Sequence, residues 1–165
     1  MPGGKRGGGS GVDWLPASAY RVAMNATATD AQITILDQVA ENLSNSQDYG
    51  SGALVGLRAW LGMYAGTAQL APSEFVILVL PSGMAVPTVV TGANKKANER
   101  FIWAMGLFEL RGTATTEIQM RYLELGSSRK FDQGDRLIVV FVNRGVATAA
   151  TGVGSALVDI YVREQ

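Results

Sequence analysis

The sequence predicts an all-β domain, an antiparallel two-sheet β-sandwich behind a flexible glycine-rich arm. Three observations carry this. Short segments rich in β-branched and aromatic residues are separated by clusters of Gly, Pro, Asn and Ser, the pattern of a β-sandwich or barrel. Two of them, "FVILVL" and "LIVVFV", are apolar on both faces, as strands covered on both sides are. A third, "EIQMRYLE", alternates, with Ile118, Met120 and Tyr122 on one face and Glu117, Gln119 and Arg121 on the other, the period-2 mark of a half-buried strand.

In chain order, "MPGGKRGGGSG" reads as a flexible tether. Trp14, Leu15 and Pro16 follow as an anchor where the arm meets the body. Residues 1–18 are therefore expected to be arm and anchor, and residues 19–165 one domain, a length sufficient for a real core. Strands are expected over Tyr20–Ala26, Ile33–Val39, Leu54–Tyr64, Phe75–Leu80, Arg100–Phe108, Glu117–Leu123, Leu137–Val142 and Ala156–Val162. The second is ambiguous. Ile33, Leu36, Ala40 and Leu43 fall at helical spacing behind Asp30, a possible N-cap, while Ile33–Val39 also reads as extended.

Two connections stand out. Gly83–Glu99 is long for a link inside a compact domain and is expected to contact something. Arg144–Ser155 is built of small, weakly polar residues that suit close packing against a neighbour, or form a mobile surface loop. Both are expected to mediate self-association. "FDQGD", Phe131–Asp135, is a turn in which Asp and Gly supply local hydrogen bonds and permissive φ. Its Asp132 and Asp135 would otherwise be a carboxylate pair, of which a calcium site is the best version.

Composition excludes much chemistry. The chain is 47% hydrophobic and 17% charged, with 14 basic and 14 acidic residues, so neither wholesale disorder nor a uniformly basic surface is expected. It has no Cys and no His, which removes disulfides, thiol nucleophiles, zinc-type ligand sets and the usual general base. Phosphate-loop, dinucleotide-binding and nucleophile-elbow motifs are absent from the sequence. No catalytic residue, metal or cofactor is expected, and no segment approaches the length of a membrane helix. Trp60 and Trp103 lie in apolar strands and are expected to pack in the core.

The candidate nucleic-acid-binding residues are Lys5 and Arg6 in the arm, Arg21 at the start of the body, and Lys95 and Lys96 with Arg100 nearby. Lys95 and Lys96 also read as a solvated loop, since Glu99 offsets them. A single arm with two charges binds phosphate weakly, but many arms facing one enclosed volume raise the effective concentration.

"FVILVLPSG", Phe75–Gly83, resembles the apolar strand ending in a Pro-x-Gly turn of capsid proteins from small circular single-stranded DNA viruses, the CRESS DNA viruses. "FIWAMGLFEL", then "SSRKFDQGDRLIVVFVN", and a strand at the C-terminus follow in the same order, so the resemblance spans roughly Ala53 to Gln165. It implies a single jelly roll of eight strands in two four-stranded sheets. It also implies a self-assembling shell, typically of sixty copies, around single-stranded DNA, with the arm turned toward the genome. The location implied is the virion, assembled inside a host cell. The chain departs from the family in its arm, which holds only Lys5 and Arg6 where the family is dense in Arg and Lys. The alternative is a jelly-roll binding module of the lectin or carbohydrate-binding type, which would want exposed aromatic side chains.

Overall fold

The computed structural model describes residues 14–15, 19–25, 31–39, 53–65, 73–108, 119–132, 134–143 and 151–163. Among them the strands are β1 (Trp14–Leu15), β2 (Ala19–Asn25), β3 (Ala31–Val39), β4 (Ala53–Ala65), β5 (Ser73–Leu80), β6 (Ile102–Phe108), β7 (Gln119–Phe131), β8 (Arg136–Asn143) and β9 (Thr151–Arg163). A short helix α1 (Gly92–Ala97) and a 3-10 turn (Glu99–Phe101) lie between β5 and β6. One sheet runs β2-β9-β4-β7, with β1 also paired to β9, and the other runs β3-β8-β5-β6. All pairings are antiparallel. From β2 to β9 every connection except β5–β6 crosses between sheets, which is jelly-roll connectivity.

The strands apolar on both faces fill the centre of the second sheet. Phe75 to Leu80 and Leu137 to Val142 are all buried, so each such side chain contributes roughly 1.5–3 kcal/mol of burial. Their two faces have different covers. Phe75, Ile77, Val79, Leu137, Val139 and Phe141 point toward the first sheet, whose Ala59 and Leu61 are fully buried. Val76, Leu78, Leu80, Ile138, Val140 and Val142 form a second cluster with Val89 and Phe101, flanked by Met84, Val86, Val90 and Ile102.

The β5–β6 connection supplies that second cover. It leaves β5 through a turn closed by the Met84 N–H on the Pro81 carbonyl at 3.2 Å, with Gly83 at φ 76°, a conformation that favours glycine at this turn position. It descends the outer face to Gln32, whose Nε2 donates to the Pro87 carbonyl (3.0 Å) and whose Oε1 accepts from the Val89 N–H (2.7 Å). Arg136 holds the start of this descent, donating to the Met84 carbonyl at 2.6 Å and to both carboxylate oxygens of Asp37. That carboxylate raises the guanidinium pKa by accepting its hydrogen bonds. The chain then returns through α1 to start β6 opposite Leu78. The long connection thus contacts its own sheet, and part of it is helix rather than loop, capped where Thr91 and Asn94 hydrogen-bond reciprocally.

β3 is a strand, and its ambiguous spacing has a cause. The register with β8 shifts between Thr34 and Leu36, so Ile35 is an extra residue in a bulge. The bulge places Ile33 and Leu36 on the same face although they are three apart, which imitates helical periodicity. Expected boundaries change in three places. Arg100 and Phe101, expected to open a strand, form the 3-10 turn, and β6 begins at Ile102. β7 continues through Ser127–Phe131, so the charged segment before Gly134 is mostly strand. β9 begins at Thr151, so Thr151–Ser155 is not loop but pairs with β2 and, from Gly152 on, also with β4. Pairing on both sides overrides the weak strand preference of its glycines. Residues 144–150 lie outside the described residues.

The turn at Asp132–Asp135 is present. The Asp135 N–H donates to the Asp132 carbonyl at 3.1 Å, and an Asp135 carboxylate oxygen accepts from the Asp132 N–H at 2.9 Å. Gly134 has φ 85°, which explains the glycine.

Candidate nucleic-acid and assembly surfaces

The expected binding residues do not converge. Lys5 and Arg6 lie outside the described residues. Arg21 is in β2, in register with Ser155 of β9 and through it with Gly62 of β4. Lys95 and Lys96 sit on α1, over the other sheet, and both are engaged by carboxylates. Lys95 Nζ is 2.6 Å from Glu74 and largely buried, and Lys96 Nζ is 2.7 Å from Glu99 and exposed. The Arg100 guanidinium lies 4.5 Å from the centre of the Phe101 ring. Each lysine of α1 is therefore paired with a carboxylate, which weakens α1 as a phosphate site.

The two connections expected to mediate self-association leave from opposite ends of their sheet. Val142, near the end of β8, pairs with Glu74 at the start of β5, whereas Leu80 at the end of β5 pairs with Arg136. Antiparallel pairing forces this separation.

The first sheet presents what the sequence did not reveal. Along β4, Ala59 and Leu61 face the core, so Arg58 and Trp60 face outward. Trp60 is half-buried on the outer face rather than in the core. Tyr122 is its cross-strand neighbour on β7 and is 50% exposed, with ring centres 5.1 Å apart at 47°. Arg58 stands over the Trp60 ring at 5.4 Å, and the Tyr122 hydroxyl donates to Glu124 at 3.0 Å. The apolar side of β7 is thus not uniformly the buried side. Leu123 and Leu125, with Arg121, occupy the core-side register, and Tyr122 is outside. Trp103 packs against the buried Phe131 at 5.6 Å.

Arg121 on the core side has a task. Its guanidinium lies 5.6 Å from the Phe75 ring centre and donates to the Leu107 carbonyl at 2.7 Å. Further along β7, Arg129 donates to the carbonyls of Ile102 (3.1 Å) and Arg100. Burial lowers the pKa of Arg129, while Asp135 opposes that shift. Two arginines of β7 thereby close the flank of the sandwich along β6. Beside them, Met105 and Leu107 are exposed apolar residues lining, with Glu74, Lys95 and Gly106, a shallow cavity of about 260 Å³. Among the described residues no cluster of three or more metal-ligating side chains occurs.

No protein-family model matches the chain, and no curated protein matches it by sequence. Solved structures do. Triatoma virus matches with 6% identity over 93% of this chain and 64% of that one, at a TM-score of 0.43. The human norovirus GI.7 Houston strain virus-like particle, in T=3 symmetry, matches with 10% identity over 92% and 32%, at 0.42. An arabinose-bound α-L-arabinofuranosidase matches with 13% identity over 90% and 23%, at 0.44. The chain spans less than two thirds of each of these three. Virus-particle chains and a glycosidase stand together here, so the likeness does not select a function.

Proposed function

We propose that the chain is a structural capsid subunit that self-assembles into a closed icosahedral shell, of T=1 type with 60 copies, around single-stranded DNA. The observation that carries this reading is the strand order, β2-β9-β4-β7 facing β3-β8-β5-β6. The segments that resemble the CRESS virus capsid proteins fall on β5 with its Pro81–Gly83 turn, on β6, and on the turn at Gly134 leading into β8. A chain without Cys or His suits a structural role better than an enzymatic one. Particle mass and negative-stain images of the purified protein test the reading. Hollow spheres are expected; monomers or trimers at every concentration and salt would overturn it. The second reading, a carbohydrate-binding jelly roll, is favoured by the exposed Tyr122 beside Trp60.

A further inference from the structure

We propose that the outer face of the five-stranded sheet binds single-stranded nucleic acid, with Trp60 and Tyr122 as the stacking platform. Backbone register places Arg58, Trp60 and Gly62 on one face of β4. It aligns them with Glu124, Tyr122 and Met120 of β7, and with Asp159, Leu157 and Ser155 of β9. Two residue positions before Gly56 on that face, Leu54 pairs with Lys130 and Arg163. Beyond Trp60, the Gly62–Ser155 row reaches Arg21.

Among the described residues, backbone register assigns to this face the positions of Arg21, Arg58, Lys130 and Arg163 and those of Glu124 and Asp159, in a chain whose total charge is zero. The acidic pair shares the row of Arg58, in the middle, and the remaining basic positions lie toward the two ends. From the Leu54 row to the Gly62 row is about 27 Å at the usual rise per residue, the dimension of a polymer rather than of one sugar ring. Aromatic rings flanked by cationic positions along an extended face are the physical requirements for binding single strands without reading sequence, since every base has a π-face. The ring geometry agrees: Trp60 and Tyr122 are tilted rather than coplanar. They offer separate surfaces to successive bases and not one flat floor for a pyranose. The platform also differs from the arm and from α1, whose lysines are held by Glu74 and Glu99.

That the ligand is an enclosed genome rests on the capsid reading; binding itself does not. The test uses the full chain and a fluorescein-labelled thymidine 20-mer, read by anisotropy at several salt concentrations. Trp60→Ala and Tyr122→Ala are each expected to weaken binding about tenfold. Arg58→Gln with Lys130→Gln is expected to make the slope of log K against log salt shallower by about 1.4. Tyr122→Phe keeps the ring and should bind as the parent does, which separates stacking from any folding defect. Unchanged affinity in both alanine variants overturns the proposal. So does loss of binding only in Lys95→Ala/Lys96→Ala or on removal of residues 2–11, or tighter binding of a soluble polysaccharide than of the 20-mer on the same rings. Light scattering on the same samples keeps the two readings apart. A chain that forms shells but, while still unassembled, does not bind the 20-mer through these rings refutes the platform alone, and ring-dependent binding by a protein that never assembles refutes the capsid reading alone.

Discussion

Gln32→Ala tests the idea that the β5–β6 connection is a structural cover. Gln32 makes two hydrogen bonds to that connection, at 3.0 Å to the Pro87 carbonyl and 2.7 Å from the Val89 N–H. Val89 is fully buried, so its N–H loses its acceptor once Gln32 is shortened. A typical internal hydrogen bond contributes about 0.5–1.5 kcal/mol net, and a buried donor left unsatisfied costs about 1–3 kcal/mol. Together these give a loss of about 2–4 kcal/mol, a large part of a domain's total of about 5–15. For a chain of this size that lowers Tm by about 4–16 °C. Urea unfolding followed by far-UV circular dichroism measures the loss, and hydrogen exchange locates it. The Val89 amide should lose protection while the β5 and β8 amides keep theirs. Gln32→Glu retains an acceptor for Val89 but loses the donor to Pro87, and should fall between. A Gln32→Ala loss below about 0.5 kcal/mol with a still-protected Val89 amide would show that apolar packing alone holds the connection down.

Val140 is fully buried between strands and under the connection, so Val140→Asp should abolish soluble folded protein, an unpaired buried charge costing several kcal/mol; the soluble fraction on expression measures it. A Cβ at Gly106 would lie 2.6 and 2.7 Å from the Phe75 ring, so Gly106→Val should destabilise by about 1–3 kcal/mol, and pairing it with Phe75→Leu should recover part of that in a denaturant titration. Deleting residues 2–11 should leave the sandwich folded and lower the 260/280 nm absorbance ratio of nuclease-treated particles if Lys5 and Arg6 hold nucleic acid, and leave it unchanged if the body does. A charged pair inserted at Ala149, outside the described residues, should leave circular dichroism unchanged and block particle formation if that connection is an interface.

Much of the architecture was legible because burial on both faces leaves a compositional trace. Phe75–Leu80 and Leu137–Val142 have no polar side to show, and they form the centre of their sheet. Sequence periodicity fails where the backbone breaks its own period, as at Ile35, or where pairing on both sides outweighs propensity, as at Gly152–Ser155. The candidate site was less legible. Lys95 and Lys96 look like a basic cluster in sequence because Glu74 is 21 residues from Lys95 and meets it only through the fold. Trp60 looks like core because its neighbours are apolar, yet Ala59 and Leu61 point one way and Trp60 the other. The signal was available in that alternation, with Arg58 and Trp60 sharing a parity opposite to Ala59 and Leu61.

The flank closed by Arg121 and Arg129 bears on how copies of this chain can meet. β6 ends its sheet, and the backbone groups along such an edge are what an added strand would pair with. Here the carbonyls of Leu107, Ile102 and Arg100 already accept from guanidinium groups. Hydrogen bonds to charged groups contribute about 1.5–3 kcal/mol each, more than the neutral backbone bonds that would replace them. Strand addition at β6 would also leave two cations without those acceptors beside the Phe75 ring and the β6 backbone. The exposed Met105 and Leu107 side chains lie on the face of the same strand, where apolar contact requires no exchange of hydrogen bonds. Association through faces and connections is therefore favoured over edge-to-edge pairing at β6. If Arg121→Ala and Arg129→Ala together shift purified protein from discrete species to fibrillar aggregate by electron microscopy, the arginines guard the edge; if the double variant associates as the parent does, the edge was never a competing route.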